Sequence, residues 1–216
     1  EVKFTSPVSG KVVSVNRGER RQIMEIVIES EGSRFCEFGK SDPLGLTDIK
    51  VKEKILQSGL WPSIRQRPYH VIANPGDSPK SIFISGFDTA PLAPDYDFIV
   101  ENSSVSWLRT GVKALSRLTT GKINLSLKAG VDGNQILETL DNVALTYFSG
   151  PHPSGNVGVQ IHHVDPVNKG ETVWYINLQD VIALGRLFDE GIYRPERVVA
   201  LTGSEVEKPK YVQTIL

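Results

Sequence analysis

"SSVSWLRTGVKALSRLTTGKINLSLK" (residues 103–128) joins a helix pattern directly to a strand pattern, and the pair decides the fold. Val105, Leu108, Val112, Leu115 and Leu118 recur at helical spacing, and Ser103 or Ser104 can cap the helix start. "KINLSLK" (122–128) then reads as a strand. The alternation extends both ways. "SIFISG" (81–86) is a short apolar strand ending in glycine, "NQILETLD" (134–141) a short helix, and "VALTYFSG" (143–150) another strand. "NLQDVIALGRLFDEG" (177–191) is a helix stopped by Gly191, and "RVVALTG" (197–203) and "KYVQTIL" (210–216) are further strands. Strands alternating with helices imply a parallel sheet with helices packed on it, an α/β fold.

In such a sheet ligands sit beyond the carboxyl ends of the strands. Two glycine- and proline-bearing loops are expected there: "GFDTAPLAPD" (86–95) and "GPHPSG" (150–155). They make Phe87, Asp88, Thr89, Gly150, His152, Ser154 and Gly155 the candidate ligand-contact residues. Asp88, Asp95 and Asp97 flank "PLAP" and can bind a cation, but loop aspartates commonly hydrogen-bond their own backbone, which is the expected duty of at least two of them. Two readings stand for the chain after "GPHPSG". Ser154 caps a helix starting near Gly155, or Val157, Val159 and Ile161 alternate as a strand; the Pro-His-Pro-Ser lead-in favours the helix.

Motifs with defined chemistry fail on their partners. Gly150 and Gly155 have P-loop spacing, but Asn156 and Val157 stand where Lys and Ser/Thr must handle phosphate and magnesium. No G-x-G-x-x-G or G-x-S-x-G occurs. His162 and His163 are adjacent and diverge on a helix or a strand, so no metal site is expected, with one of the pair packed and the other solvated. The single cysteine excludes an internal disulfide and an all-cysteine cluster, and Cys36 between Phe35 and Phe38 is expected to be a buried, inert thiol. No catalytic residue is assigned.

With 24 basic and 25 acidic residues the net charge is −1, which lacks the footprint of a nucleic-acid binder. The longest apolar runs fall far short of the roughly 20 residues a membrane helix needs. The opening is charged and β-rich rather than signal-like, so the chain reads as soluble and cytoplasmic. Three regions separate. Residues 1–38 form a hairpin, with Gly18 at its turn and "SRFCEF" (33–38) as a third strand, too small to bury a core alone. Residues 39–70 form a linker with one helix, capped by Thr47 and ended by Gly59, followed by an irregular "LWPSIRQRPY" (60–69). Residues 71–216 form the α/β domain, whose last strand can start a further domain.

The blocks "FTSPVSGKVVSVNRGERR", "SGLW", "IFISGFDTAPLAPD", "LTTGK", "GPHPSG" and "WYINLQDVIALGRLF" together resemble the A subunits of the sodium-translocating NADH:quinone reductases, in that family's order. The resemblance implies an internal piece of a peripheral subunit on the cytoplasmic side of the bacterial inner membrane. Its complex oxidises NADH, reduces ubiquinone and pumps sodium ions, using flavins and iron–sulfur centres. The implied fold is a Rossmann-like sheet related to the flavin-bearing subunit of complex I, preceded by half of a biotinyl/lipoyl-like barrel whose other half lies upstream. Relatives hold FMN on a glycine-rich loop; its equivalent here is "SGLWPSIRQRPY", where Trp61 and Arg65 obstruct the close backbone approach a flavin phosphate needs. The resemblance therefore implies no cofactor in this chain, other subunits as partners, and a quinone contact not assigned to particular residues. Two alternatives compete: a flavin- or nucleotide-binding oxidoreductase domain of an Rnf-type complex, and a biotinyl/lipoyl-like binding module. "RGERRQIME" (17–25) lacks the Met-Lys-Met turn of a swinging-arm carrier.

Overall fold

Apolar period, caps and glycines produce sixteen elements in the computed structural model, which describes residues 1–130 and 135–215. They run β1 (Gly10–Arg17), β2 (Ile23–Ser30), α1 (Asp48–Ser58), β3 (Arg65–Arg67), β4 (Val71–Ile72), β5 (Ile82–Ser85), α2 (Tyr96–Glu101) and α3 (Val105–Ser116). The order continues β6 (Ile123–Lys128), α4 (Gln135–Glu138), β7 (Ala144–Phe148), α5 (Val157–Val164), β8 (Val173–Asn177), α6 (Leu178–Glu190), β9 (Glu196–Leu201) and β10 (Lys210–Ile215). Asn134 and Leu216, placed by the sequence in a helix and a strand, lie outside the described residues.

The main sheet has the order β4-β3-β8-β5-β6-β7, with β8, β5, β6 and β7 parallel and β3 antiparallel to β8. The chain runs outward from β5 through β6 to β7, then returns by α5 to β8 on the other side of β5. The direction of winding thus reverses between β5 and β8, where an open sheet leaves a crevice at its carboxyl edge. Ile82, Ile84, Leu125, Trp174 and Ile176 pack with residues of α1, α3 and α6 on one face. Phe83, Val173 and Tyr175 meet Ile161 of α5 on the other. The α3–α6 crossing is backbone to backbone. A Cβ at Gly111 would stand 2.1 Å from the Val181 carbonyl oxygen, and one at Gly185 would stand 1.6 Å from that of Trp107.

Several expectations need correction. The 39–70 segment is core rather than linker: Val51, Ile55, Trp61 and Ile64 are fully buried, and Trp61 meets Trp174 edge-on at 5.6 Å. Its helix has the expected caps, Thr47 accepting from the Lys50 amide and Gly59 left-handed at φ 80. "LWPSIRQRPY" is not irregular throughout. Pro62 and Pro68 bracket a three-residue strand that sits beside β8, short enough to hide between turn signals. Strand β8 itself has no counterpart in the sequence pattern, because its apolar run passes into α6 without a turn to mark the change.

The β1–β2 hairpin forms, but the left-handed turn residues are Arg20 (φ 54) and Arg21 (φ 61), while Gly18 is extended. Val12, Val13, Val15, Ile23, Met24 and Ile26 stay exposed, so the hairpin has apolar side chains still to cover. "SRFCEF" is not a strand: only Glu37 bridges, to Ile192, and Cys36 is exposed rather than buried. Without a neighbouring strand its thiol has nothing to pack under. The last two strands pair with each other as a separate antiparallel hairpin. The Gln179 side chain clamps that hairpin by bonding both the amide and the carbonyl of Val198, and Arg197 pairs with buried Asp180.

Candidate functional site at the carboxyl edge of the sheet

Gly86 ends β5 where a side chain cannot fit: its Cβ would stand 2.8 Å from Leu127 and 3.0 Å from the Ser126 carbonyl oxygen. The loop that follows carries its own turn bonds. Asp88 accepts from the Ala90 amide at 2.9 Å, and Asp95 accepts from the Asp97 amide at 2.9 Å, starting α2. Two of the three loop aspartates thus do the turn work expected of them.

The "GPHPSG" loop arrives from β7 and crosses this loop at close range. Thr89 Oγ1 accepts from the Gly155 amide at 3.0 Å and lies 3.2 Å from His152 Nδ1. A Cβ at Gly155 would stand 2.5 Å from the Thr89 nitrogen. Beneath the crossing, fully buried Gln160 donates to Ser85 Oγ at 2.9 Å, and Ser85 Oγ donates to the Phe87 carbonyl at 2.8 Å. After the crossing the chain is helical, as the lead-in suggested. The cap is Asn156, which accepts from the Gly158 amide at 2.8 Å, rather than Ser154, which donates to the Gly150 carbonyl at 3.0 Å. Asn156 wins because Ser154 is spent closing its own turn.

Beside the crossing lies a cleft of about 330 Å³ over the ends of β5, β6 and β7, lined among others by Phe87, Asp88, Tyr96, Lys128, Glu138 and Tyr147. Of the seven candidate residues, Phe87 and Asp88 line it, and Thr89, His152 and Gly155 build its flank. Gly150 and Ser154 brace their own loop and do not line the cleft. Tyr96, Lys128, Glu138 and Tyr147 were missed. Lys128 ends the strand in "KINLSLK" and Tyr147 is the last residue but one of the strand in "VALTYFSG", so the strand-end rule that nominated the loops also points to them.

The cleft is acidic. Asp88, Asp95, Asp97 and Glu138 face one lysine, Lys128. Tyr147 donates to Glu138 Oε1 at 2.9 Å, and that bond, with burial, holds its phenol above the usual range. Burial foremost, then Asp88 and Asp180, pushes the Tyr96 phenol up too. Both phenols therefore stay neutral at physiological pH. Such a lining repels phosphate and suits an uncharged ligand with hydrogen-bonding oxygens. His162 and His163 lie away from the cleft near the end of α5, both exposed, with their rings 5.4 Å apart. Neither is packed, because Ile161 and Val164 are the residues of this turn that meet the sheet face, which leaves the two histidines on the outer side of the helix. Among the described residues no group of His, Cys, Asp or Glu is placed to hold a metal ion.

Known proteins share this frame. A solved NAD+-reducing [NiFe]-hydrogenase in the air-oxidized state matches with a TM-score of 0.56 over 82% of this chain and 38% of that one, at 12% identity, which shows the fold alone. Residues 46–193 match the family described as NqrA second alpha/beta domain, and residues 1–31 match the NqrA N-terminal barrel-sandwich hybrid domain. The A subunit of the Na(+)-translocating NADH-quinone reductase of Photorhabdus laumondii is 40% identical over 220 residues, and that of Neisseria meningitidis serogroup A is 42% identical over 218. Both alignments cover 100% of this chain and 48% of the relative, so the chain spans about half the length of these relatives. On sequence and domain order together, the chain belongs to the NqrA family, the A subunits of the Na(+)-translocating NADH-quinone reductases.

Proposed function

We propose that this chain is part of a peripheral subunit, on the cytoplasmic side of a bacterial inner membrane, of a complex that oxidises NADH, reduces ubiquinone and pumps sodium ions. Its share is docking to other subunits and contact with a quinone, without a flavin or iron–sulfur centre of its own. The observation that carries this is the acidic cleft. Four carboxylates and two neutral phenols oppose a flavin or nucleotide phosphate, while a quinone ring is uncharged and its carbonyl oxygens accept hydrogen bonds. The connector expected to cradle a flavin phosphate is filled instead by Trp61, buried against Trp174. The order β7-β6-β5-β8, wound both ways from β5, supports a Rossmann-like half-fold. No helix among the described residues is long and apolar enough to cross a membrane.

Native tryptophan fluorescence is a poor reporter of this cleft, since Trp61, Trp107 and Trp174 do not line it. Tyr147→Trp places a reporter at its exposed wall. Titrating that variant with a short-chain ubiquinone is expected to give saturable quenching that FMN does not compete away. A flat titration, or flavin absorbance in the purified wild-type chain, overturns the reading.

A further inference from the structure

The structure assigns the neighbouring arginines Arg65 and Arg67, the second of them beside the first turn of α5, to a binding site for a phosphate oxyanion, distinct from the cleft. Strand β3 pairs Arg65 with Tyr175 and Arg67 with Val173, which places both arginines on the sheet face that α5 covers. The two lie two residues apart, roughly 7 Å between Cα atoms. The Arg67 guanidinium carbon sits 5.5 Å over the Tyr175 ring. Its Nη2 is 3.5 Å from where a Gly158 Cβ would stand, so it touches the start of α5.

What singles out this pair is the missing counter-charge. Among the described residues the half-buried arginines are Arg65, Arg67, Arg117, Arg186, Arg194 and Arg197. The last four each hold a carboxylate: Asp48 for Arg117, Glu190 for Arg186 and Arg194, Asp180 for Arg197. Arg65 and Arg67 have none within 4.0 Å, and the Nε of each is buried without a hydrogen-bond partner. Arg65 spends one Nη2 bond, at 2.9 Å, on the His70 carbonyl. Burial foremost, then Arg65 and Arg67, holds the His70 imidazole below its usual range.

Two half-buried cations without an anion are costly, and an external anion removes that cost. A carboxylate has one charge and is satisfied by one guanidinium fork. Two neighbouring forks, one of them beside the positive end of a helix, match a phosphate, with more oxygens and up to two charges. Arg67 covers one face of the Tyr175 ring, the aromatic floor beside the pair. The hydroxyl of that ring bonds His70 Nδ1. The phosphate can belong to a soluble ester or to a lipid headgroup.

The test uses the whole chain and two variants. Arg67→Gln removes one fork. Gly158→Glu builds a carboxylate within reach of Arg67, at a helix start that favours acid. In calorimetric titration with inorganic phosphate, the wild type is expected to bind saturably and Arg67→Gln to bind about tenfold more weakly or worse. Gly158→Glu is expected to melt higher than the wild type without phosphate and to lose the response to it. Parallel sedimentation with phosphatidylcholine vesicles, with and without phosphatidic acid, identifies the source. Binding to the phosphatidic acid vesicles alone, with the same dependence on the variants, assigns the site to a headgroup. Binding to neither probe, or equal binding by the wild type and both variants, overturns the proposal.

Discussion

Gly155→Ala is the sharpest probe of how the two loops cross. Gly155 is not among the residues with left-handed φ, so alanine fits its backbone and only the surroundings decide the sign. The new Cβ would stand 2.5 Å from the Thr89 nitrogen and 2.8 Å from the Asp88 carbonyl carbon and Cα. These are backbone atoms with no rotamer to yield, so the two loops must part by about 1 Å to reach ordinary contact near 3.5 Å. Overpacking of this kind costs about 1–3 kcal/mol, and the shift also stretches the Gly155 amide away from Thr89 Oγ1. At this chain length each kcal/mol lowers the melting temperature by about 2–4 °C, so a fall of roughly 2–12 °C is expected. An unconstrained loop behaves oppositely, since glycine to alanine stabilises by about 0.4–1 kcal/mol through the unfolded state. Gly45→Ala is the control, because nothing lies within 4 Å of its Cβ. Thr89→Val removes the same hydrogen bond from the other side, leaving a part-buried amide unpaired at about 1–3 kcal/mol. Thermal unfolding by circular dichroism of both single variants and the double completes a cycle. The double is expected to lose less than the sum of the singles. A stabilised Gly155→Ala, or strict additivity, refutes the crossing.

Lys80 joins the start of β5 to the segment before β8, contacting Asp165 at 2.6 Å and Glu171 at 2.9 Å. The Asn168 amide foremost, then Lys80, holds Glu171 below the usual carboxylate range, so its contribution is present above that range and is lost as pH falls through its folded value. Hydrogen bonds to Asp165 and Glu171 raise Lys80, whose contribution is present below the usual lysine value and is lost as pH rises through its folded value. The difference in melting temperature between the wild type and Lys80→Met should therefore be greatest on a plateau around neutrality and shrink on both flanks; a difference growing into acid contradicts the linkage. Exposed Cys36 should react with a maleimide in the native protein at nearly the rate seen after unfolding. Labelling only on denaturation would place the thiol under cover.

Long elements with their own caps are legible in the sequence, and elements defined by their neighbours are not. Leu108, Val112 and Leu115 announce α3 by period alone, and Gly59 and Gly191 take the left-handed conformation expected at helix ends. Strand β8 is invisible because burial on both faces erases alternation and no turn separates Val173–Ile176 from α6. Trp61 reads as an obstacle in a loop, and it is a core residue, because only the tertiary fold brings Trp174 to it. The same limit applies at the site. Glycine and proline betray both loops, while Tyr96 and Glu138 reach the cleft from helices whose placement no local pattern encodes.

The loop that walls the cleft is tied down at both ends and in the middle. At one end Gly86 passes against Leu127 and donates its amide to the Ser126 carbonyl at 2.8 Å. In the middle Thr89 is held under Gly155. At the far end the Asp95 amide donates to the Tyr211 hydroxyl at 2.7 Å, and Phe98 of α2 stacks on the Tyr211 ring at 4.3 Å. Tyr211 belongs to β10, which β9 anchors to α6 through Gln179 and Asp180. One wall of the cleft thus depends on a hairpin that lies beyond the 46–193 segment matching the second alpha/beta domain of the family. A ligand entering such an opening spends little binding energy on ordering the loop, so its affinity reflects the contacts it makes. The hairpin is therefore a structural brace of the cleft wall: removing β9 and β10 takes away the Tyr211 contact that holds the loop at Asp95, while neither strand belongs to the main sheet.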